Sequence, residues 1–326
     1  MSSSSQPPIS LRTGDSGSLN PQIVQLVQQV QEGRFEGLRE YLSVSRASCN
    51  WQDRIHVLQC VAPKILIDAL DSACDAEPEA ADLFVTRCAY FCELATKMRG
   101  TGTADQVSAA RFQNAAACVK AALADMAMCT HLDGQDPTAY TLVLRPLTIF
   151  SQTNLQQQAF AKATAIAPGL VPAHFALISP LSKRWGGSHE ASLAFARQAM
   201  TKAAPGSDMA ACLFWAHTLV RTHIEYFDKA PESARQYGLK PEVTSELNSA
   251  LDNWVAPAYA ASRSSISFLR RASEWYRAVR DIDRLSKVIA LTGEEAKLPP
   301  AAGTVPQRIH RSSKSNGVLS WILGKR

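Results

Sequence analysis

Residues 184–207 read Arg184-Trp185-Gly186-Gly187-Ser188-His189-Glu190-Ala191-Ser192-Leu193-Ala194-Phe195-Ala196-Arg197, then Gln198 to Ala204, then Pro205-Gly206-Ser207. Each part has a physical reading. The glycine pair permits positive φ, which a tight connection between two helices needs. Ser188 is placed to cap the next helix, and Glu190 falls in its first turn, where the positive end of the dipole favours a carboxylate. Ala191 and Phe195, four apart, lie on one helical face: the small residue lets a neighbour approach and the aromatic fills the gap. Pro205 stops the helix. The segment is one half of a helical hairpin with its turn attached.

The same punctuation recurs along the chain. Asn20-Pro21 offers a cap and a proline start, Ile23, Val24, Leu26, Val27 and Val30 follow at helical spacing, and Gly33 closes that helix. Phe35, Leu38, Tyr41 and Leu42 outline a second. Residues 51–74 are helical in pattern and broken at Pro63. Pro78 is read as opening a helix that runs to about residue 98. Thr103 with Gln106 is a capping box for an Ala-rich helix to about residue 130, and Asp136-Pro137 repeats the cap-plus-proline start, with Pro146 inside the helix that follows. Further helices are expected over 154–167, 172–183, 188–204, 207–227, 242–260, 264–280 and 282–291. No period-2 alternation bounded by turn residues occurs.

Short connections force successive helices to pack antiparallel. The expected fold is therefore all-α: stacked antiparallel helical hairpins, either a tetratricopeptide-like α-solenoid or a compact superhelix. It occupies residues 19–292, between a Ser-rich disordered leader (1–18) and a disordered basic tail (293–326).

Three prolines, Pro137, Pro168 and Pro205, stand 31 and 37 residues apart, straddling the 34-residue tetratricopeptide period. Phe160 and Ala163 before Pro168 suit the second helix of such a repeat. The W-x2-L-G-x2-Y half of that motif is absent. The stretch from Trp185 to Glu190, followed by Phe195-Ala196-Arg197, resembles a family of uncharacterised bacterial tetratricopeptide-like helical-repeat proteins with a W-G-G-S-x-E turn. Arg99-Gly100-Thr101-Gly102 resembles a second landmark of that family, and together they cover roughly residues 35–292. The resemblance implies a fold and carries no activity with it.

Of the 326 residues, 46% are apolar, ordinary for a globular chain. No run approaches 18 consecutive apolar residues, so no spanning segment is expected, and residues 1–17 lack the marks of a secretory signal. The eight cysteines include no C-x-x-C pair; they are read as small buried hydrophobes in a reducing, cytoplasmic setting. Net charge is +5, yet six Lys/Arg and no acid lie from Lys297 onward, leaving −1 for residues 1–296. A balanced body gives no support for a nucleic-acid face.

No catalytic set emerges. His189-Glu190 begins H-E-x-x-H, but position 193 is Leu. His217 and His223, six apart on a helix, face different directions. Gly100-Thr101-Gly102 lacks the P-loop lysine, and no G-x-S-x-G elbow exists. The expectation is a non-enzymatic scaffold that binds a protein partner, with no cofactor, metal or nucleic acid and an oligomeric state left open. The alternatives are a helical sensor of anions or small molecules, with a pocket of Arg99, Arg184, Trp185, His189 and Arg197, and an enzyme of unrecognised type. In the hairpin reading, Trp185 plugs the turn, and Arg184 or Arg197 stacks on it or pairs with Glu190. In the tail, Val318, Leu319, Trp321, Ile322 and Leu323 form an apolar docking segment on a basic leash. It is suited to folding back on the body, to a groove on a partner, or to weak contact with an anionic membrane surface.

Overall fold

Amphipathic stretches cut by glycine, proline and capping residues become helices throughout the computed structural model, which describes residues 21–100, 107–204, 207–255 and 266–291. No strand occurs among them. The α-helices are α1 (Pro21–Gln31), α2 (Glu36–Ala47), α3 (Trp51–Val61), α4 (Ile67–Ala76), α5 (Ala81–Arg99), α6 (Ala109–Leu132), α7 (Thr138–Ile149), α8 (Thr153–Ile166), α9 (Val171–Leu181), α10 (His189–Thr201), α11 (Ala211–Tyr226), α12 (Pro231–Gly238), α13 (Pro241–Val255), α14 (Ile266–Val279) and α15 (Ile282–Leu291).

Helices adjacent in sequence pack on one another, most extensively α5 on α6 and then α7 on α8. A second set of contacts skips one helix: α5 touches α7, α7 touches α9, and α9 touches α11. The buried apolar residues form two clusters that meet at α9. Ala173 and the preceding Leu170 belong to the first, with Leu38, Leu58, Leu83 and Leu144; Val171 and Ile178 belong to the second, with Phe214, Leu247 and Trp275. Phe160 of α8, His174 of α9 and Phe195 of α10 stand in mutual ring contact, with centroids 5.1 to 6.0 Å apart. Ala163 and Ala196 beside them are fully buried, so small residues admit the helices and aromatics fill the space.

Several expectations shift. Pro78 does not open α5: the chain turns through residues 77–80 and the helix starts at Ala81. Helix α6 is capped by the Ser108 hydroxyl, which accepts from the Arg111 N–H at 3.3 Å; Thr103, Gln106 and Pro205 lie outside the described residues. Asp136 caps α7 two residues ahead, accepting from the Thr138 N–H at 2.8 Å. Helix α12 was not foreseen. It starts on Pro231 with Glu232 in its first turn, a signal present in the sequence. The break at Pro63 is a short 3-10 turn between α3 and α4.

Buried ions tie helices together. Arg54 of α3, 1% exposed, bonds Asp82 of α5 at 2.6 Å and Asp136 before α7 at 2.8 Å. Arg87 of α5 bridges Asp71 of α4 and Asp125 of α6. Among the described residues, α6 alone is long and apolar enough to cross a membrane by length and composition. Yet it packs along α5, and Asp125 within it is buried against Arg87. All eight cysteines are free thiols, and six are buried. Cys88 and Cys92 share one face of α5, and their mutual hydrogen bond together with burial pushes the Cys88 thiol well above its ordinary value.

Candidate functional site

The glycine pair after α9 has two different jobs. Gly186 adopts φ +90°, the left-handed region. A side chain on Gly187 would run into the backbone carbonyl of Leu181, which accepts the Ser188 N–H at 3.0 Å. Ser188 then caps α10 through the Ala191 N–H at 3.0 Å. Glu190 is held below the ordinary carboxylate value by its own backbone N–H and by the Ser188 hydroxyl.

This tight turn throws its aromatic outward. Trp185, on a 3-10 turn (Lys183–Trp185), is 39% exposed and does not plug the hairpin end. Arg184 lies between two rings, 5.9 Å from the centroid of Trp185 and 5.6 Å from that of Phe227, which follows α11 and is half exposed. Phe227 in turn stacks almost parallel on His223, with centroids 5.0 Å apart and planes 8° from parallel. The His223 ring meets His189 edge-on at 5.1 Å. Asp228 joins the group, 3.6 Å from His223 Nε2 and 4.0 Å from Lys183 Nζ. Two segments distant in sequence therefore converge: residues 183–189, from the 3-10 turn to the first residue of α10, and the end of α11.

Burial, and then the positive charge of Arg184, lower the Arg99 guanidinium at the end of α5 below its ordinary value. Arg111 of α6 donates from Nε to the Met98 carbonyl at 2.9 Å, beside the same helix end. Cations at a helix C-terminus meet the negative end of its dipole. Of the candidate pocket residues, Arg184, Trp185 and His189 are gathered with the end of α11.

Arg197 is not with them. It makes a two-pronged pair with Glu246 of α13, at 2.7 and 2.9 Å, and touches neither Trp185 nor Glu190. The other Glu246 contact is His217 Nε2 at 2.9 Å, and His217 Nδ1 meets the Tyr237 hydroxyl at 2.7 Å. Arg197 and His217 hold Glu246 at about 2, while burial pushes the Tyr237 hydroxyl far up. The Tyr237–His217–Glu246–Arg197 chain of contacts pins α10, α11, α12 and α13 together.

His223, Phe227 and Asp228 were missed in the sequence, where only the adjacent aromatics Tyr226-Phe227 at a helix end could have signalled them. Another unforeseen pair is His56 and Cys60, one turn apart on α3 with Sγ 3.7 Å from Nε2. Burial and then the Asp53 charge raise that thiol, the reverse of what activates a cysteine nucleophile. Among the described residues no group of three or more His, Cys, Asp or Glu is arranged to hold a metal ion. The tail residues Val318, Leu319, Trp321, Ile322 and Leu323 lie outside the described residues. Set against known proteins, the chain matches no family model, no curated protein and no solved structure.

Proposed function

We propose that the chain is a non-enzymatic interaction scaffold of tetratricopeptide-like stacked hairpins, and that it docks a protein partner on the Arg184–Trp185–Phe227 face. One observation carries the reading: two large aromatics, 39% and 50% exposed, are gathered around an arginine at a rigid turn. Aromatics and arginine are the residues that dominate binding energy at protein interfaces. The helix-skipping contacts through α5, α7, α9 and α11 support the stacked arrangement, and the free thiols suit a reducing, cytoplasmic setting. The basic tail serves as a second docking element.

The test is cross-linking followed by purification from the native host, comparing the wild type with the double variant Trp185→Ala/Phe227→Ala, each with and without residues 297–326. Both substituted side chains are substantially exposed, so the helical circular dichroism should persist. A specific partner bound by the wild type and lost from the double variant supports the reading; the same partners on both overturn it. A second reading, an anion sensor, is favoured by the two adjacent cations Lys183 and Arg184 on the 3-10 turn. It expects inorganic phosphate or a dicarboxylate to raise the melting temperature of the wild type and not of Arg184→Ala.

A further inference from the structure

We infer that the His189–His223 contact is a pH-sensitive latch beneath the docking face, closed while His189 is neutral and opened when it takes up a proton. This rests on the docking reading for its purpose and on the geometry of the two rings for its mechanism.

The rings touch at 5.1 Å, and the Nδ1 of each is buried with no hydrogen-bond partner. A neutral imidazole tolerates this arrangement, because one of its two nitrogens carries no proton and needs no acceptor. An imidazolium donates from both nitrogens, so a proton taken up by His189 creates a demand at its buried Nδ1 that the closed contact leaves unmet. Position adds to this. His189 is the first residue of α10, where the positive end of the helix dipole opposes a second positive charge. The charged groups facing it are Lys183 on the 3-10 turn, Glu190 on its own helix, and His223 and Asp228 at the end of α11. Asp228 lies against His223 and Lys183, and Glu190 is turned to its own helix end. Burial, then His223 and Lys183, hold His189 below its ordinary value of 6.5.

The sign follows. A histidine depressed in the folded state binds protons more readily when its surroundings open, so closure is favoured above 6.5 and weakens as pH falls through and below it. Opening separates the start of α10 from the end of α11. It therefore moves Phe227, which stacks on His223, away from Arg184 and Trp185, and the face loses its shape.

Nuclear magnetic resonance on the full chain labelled at histidine, titrated from about pH 8 to about pH 5, tests this without any partner. His189→Gln and His223→Gln assign the signals. The expected result is a His189 midpoint below 6.5, with Overhauser contacts between the Arg184 side chain and the Phe227 ring fading over the same range. In His189→Gln those contacts should persist to lower pH. A His189 midpoint at or above 6.5, or contacts that survive while His189 becomes charged, overturns the latch. The wild-type titration alone decides if the variant does not fold. Because partner loss in Trp185→Ala/Phe227→Ala is read at neutral pH, failure of the docking face and failure of the latch are separate outcomes.

Discussion

Replacing Glu246 by Gln should destabilise the fold at neutral pH and hardly at all in acid. The carboxylate takes two hydrogen bonds from Arg197 and one contact from His217, and its side chain is 23% exposed. Holding the group at about 2 instead of 4.5 corresponds to about 3 kcal/mol between its charged and neutral forms. The Arg197 side chain is 53% exposed, so solvent screens that half of the interaction and the realised loss is smaller. Glutamine keeps the shape and one acceptor, which places the expected loss at roughly 1–2 kcal/mol at neutral pH. The sign with pH is fixed by the depressed value. The contribution is complete above 4.5 and disappears as pH falls from there toward 2, because the wild-type carboxyl then becomes neutral like the amide. Urea denaturation of both chains at a series of pH values measures the gap. A gap under about 0.5 kcal/mol at neutral pH, within the ordinary range for a surface change, would refute the reasoning. So would a gap that fails to narrow below 4.5.

Arg54→Ala leaves Asp82 and Asp136 buried without their cation and should cost about 3–5 kcal/mol in urea melts, whereas Arg54→Met with both aspartates made Asn should recover most of that loss. At the turn, Gly187→Ala is expected to cost more than Gly186→Ala: the latter meets only the left-handed strain of about 1–2 kcal/mol, while the former must displace the Leu181 backbone. Equal thermal shifts for the two would contradict the distinct roles assigned to them. Phe160→Ala should open a void between α8, α9 and α10 and lower stability by about 3 kcal/mol. Trp185→Ala, at an exposed position, should stay within about 1 kcal/mol of the wild type.

The helices were legible because local chemistry alone determines where most of them start and stop. Ser188, Asp136 and the proline at position 63 act within a few residues of themselves, and α15 falls on the expected bounds. Errors arise where two local signals compete. Pro78 is compatible with a first helical turn and with the bend that precedes one, and the bend won; α6 takes Ser108 as its cap. The site was half legible. Glycines, serine and tryptophan at 185–188 identified the turn, but its companions Phe227, His223 and Asp228 come from the far end of α11, a tertiary pairing that no periodicity encodes. Arg197 was misplaced for the same reason: its partner Glu246 lies 49 residues away. Sharing a helix with His189 says nothing about sharing a site.

The outward tryptophan follows from the same feature that makes the turn tight. With Gly187 pressed against the Leu181 carbonyl, no room is left inside the hairpin end for an indole. A residue placed just before the glycine pair on a 3-10 turn must then project to solvent unless a neighbouring element covers it, and the end of α11 supplies only Phe227, itself half exposed. Arg184 spans the two rings and keeps them in register. Close packing of backbone at the hairpin end thus produces, without any further element, an aromatic face on a rigid support, and rigidity lowers the ordering entropy that a partner would otherwise have to overcome. Lengthening the turn by one glycine should let Trp185 fold inward and quench its exposure to iodide. It should leave the body of the stack unchanged, and partner binding should fall with the exposure.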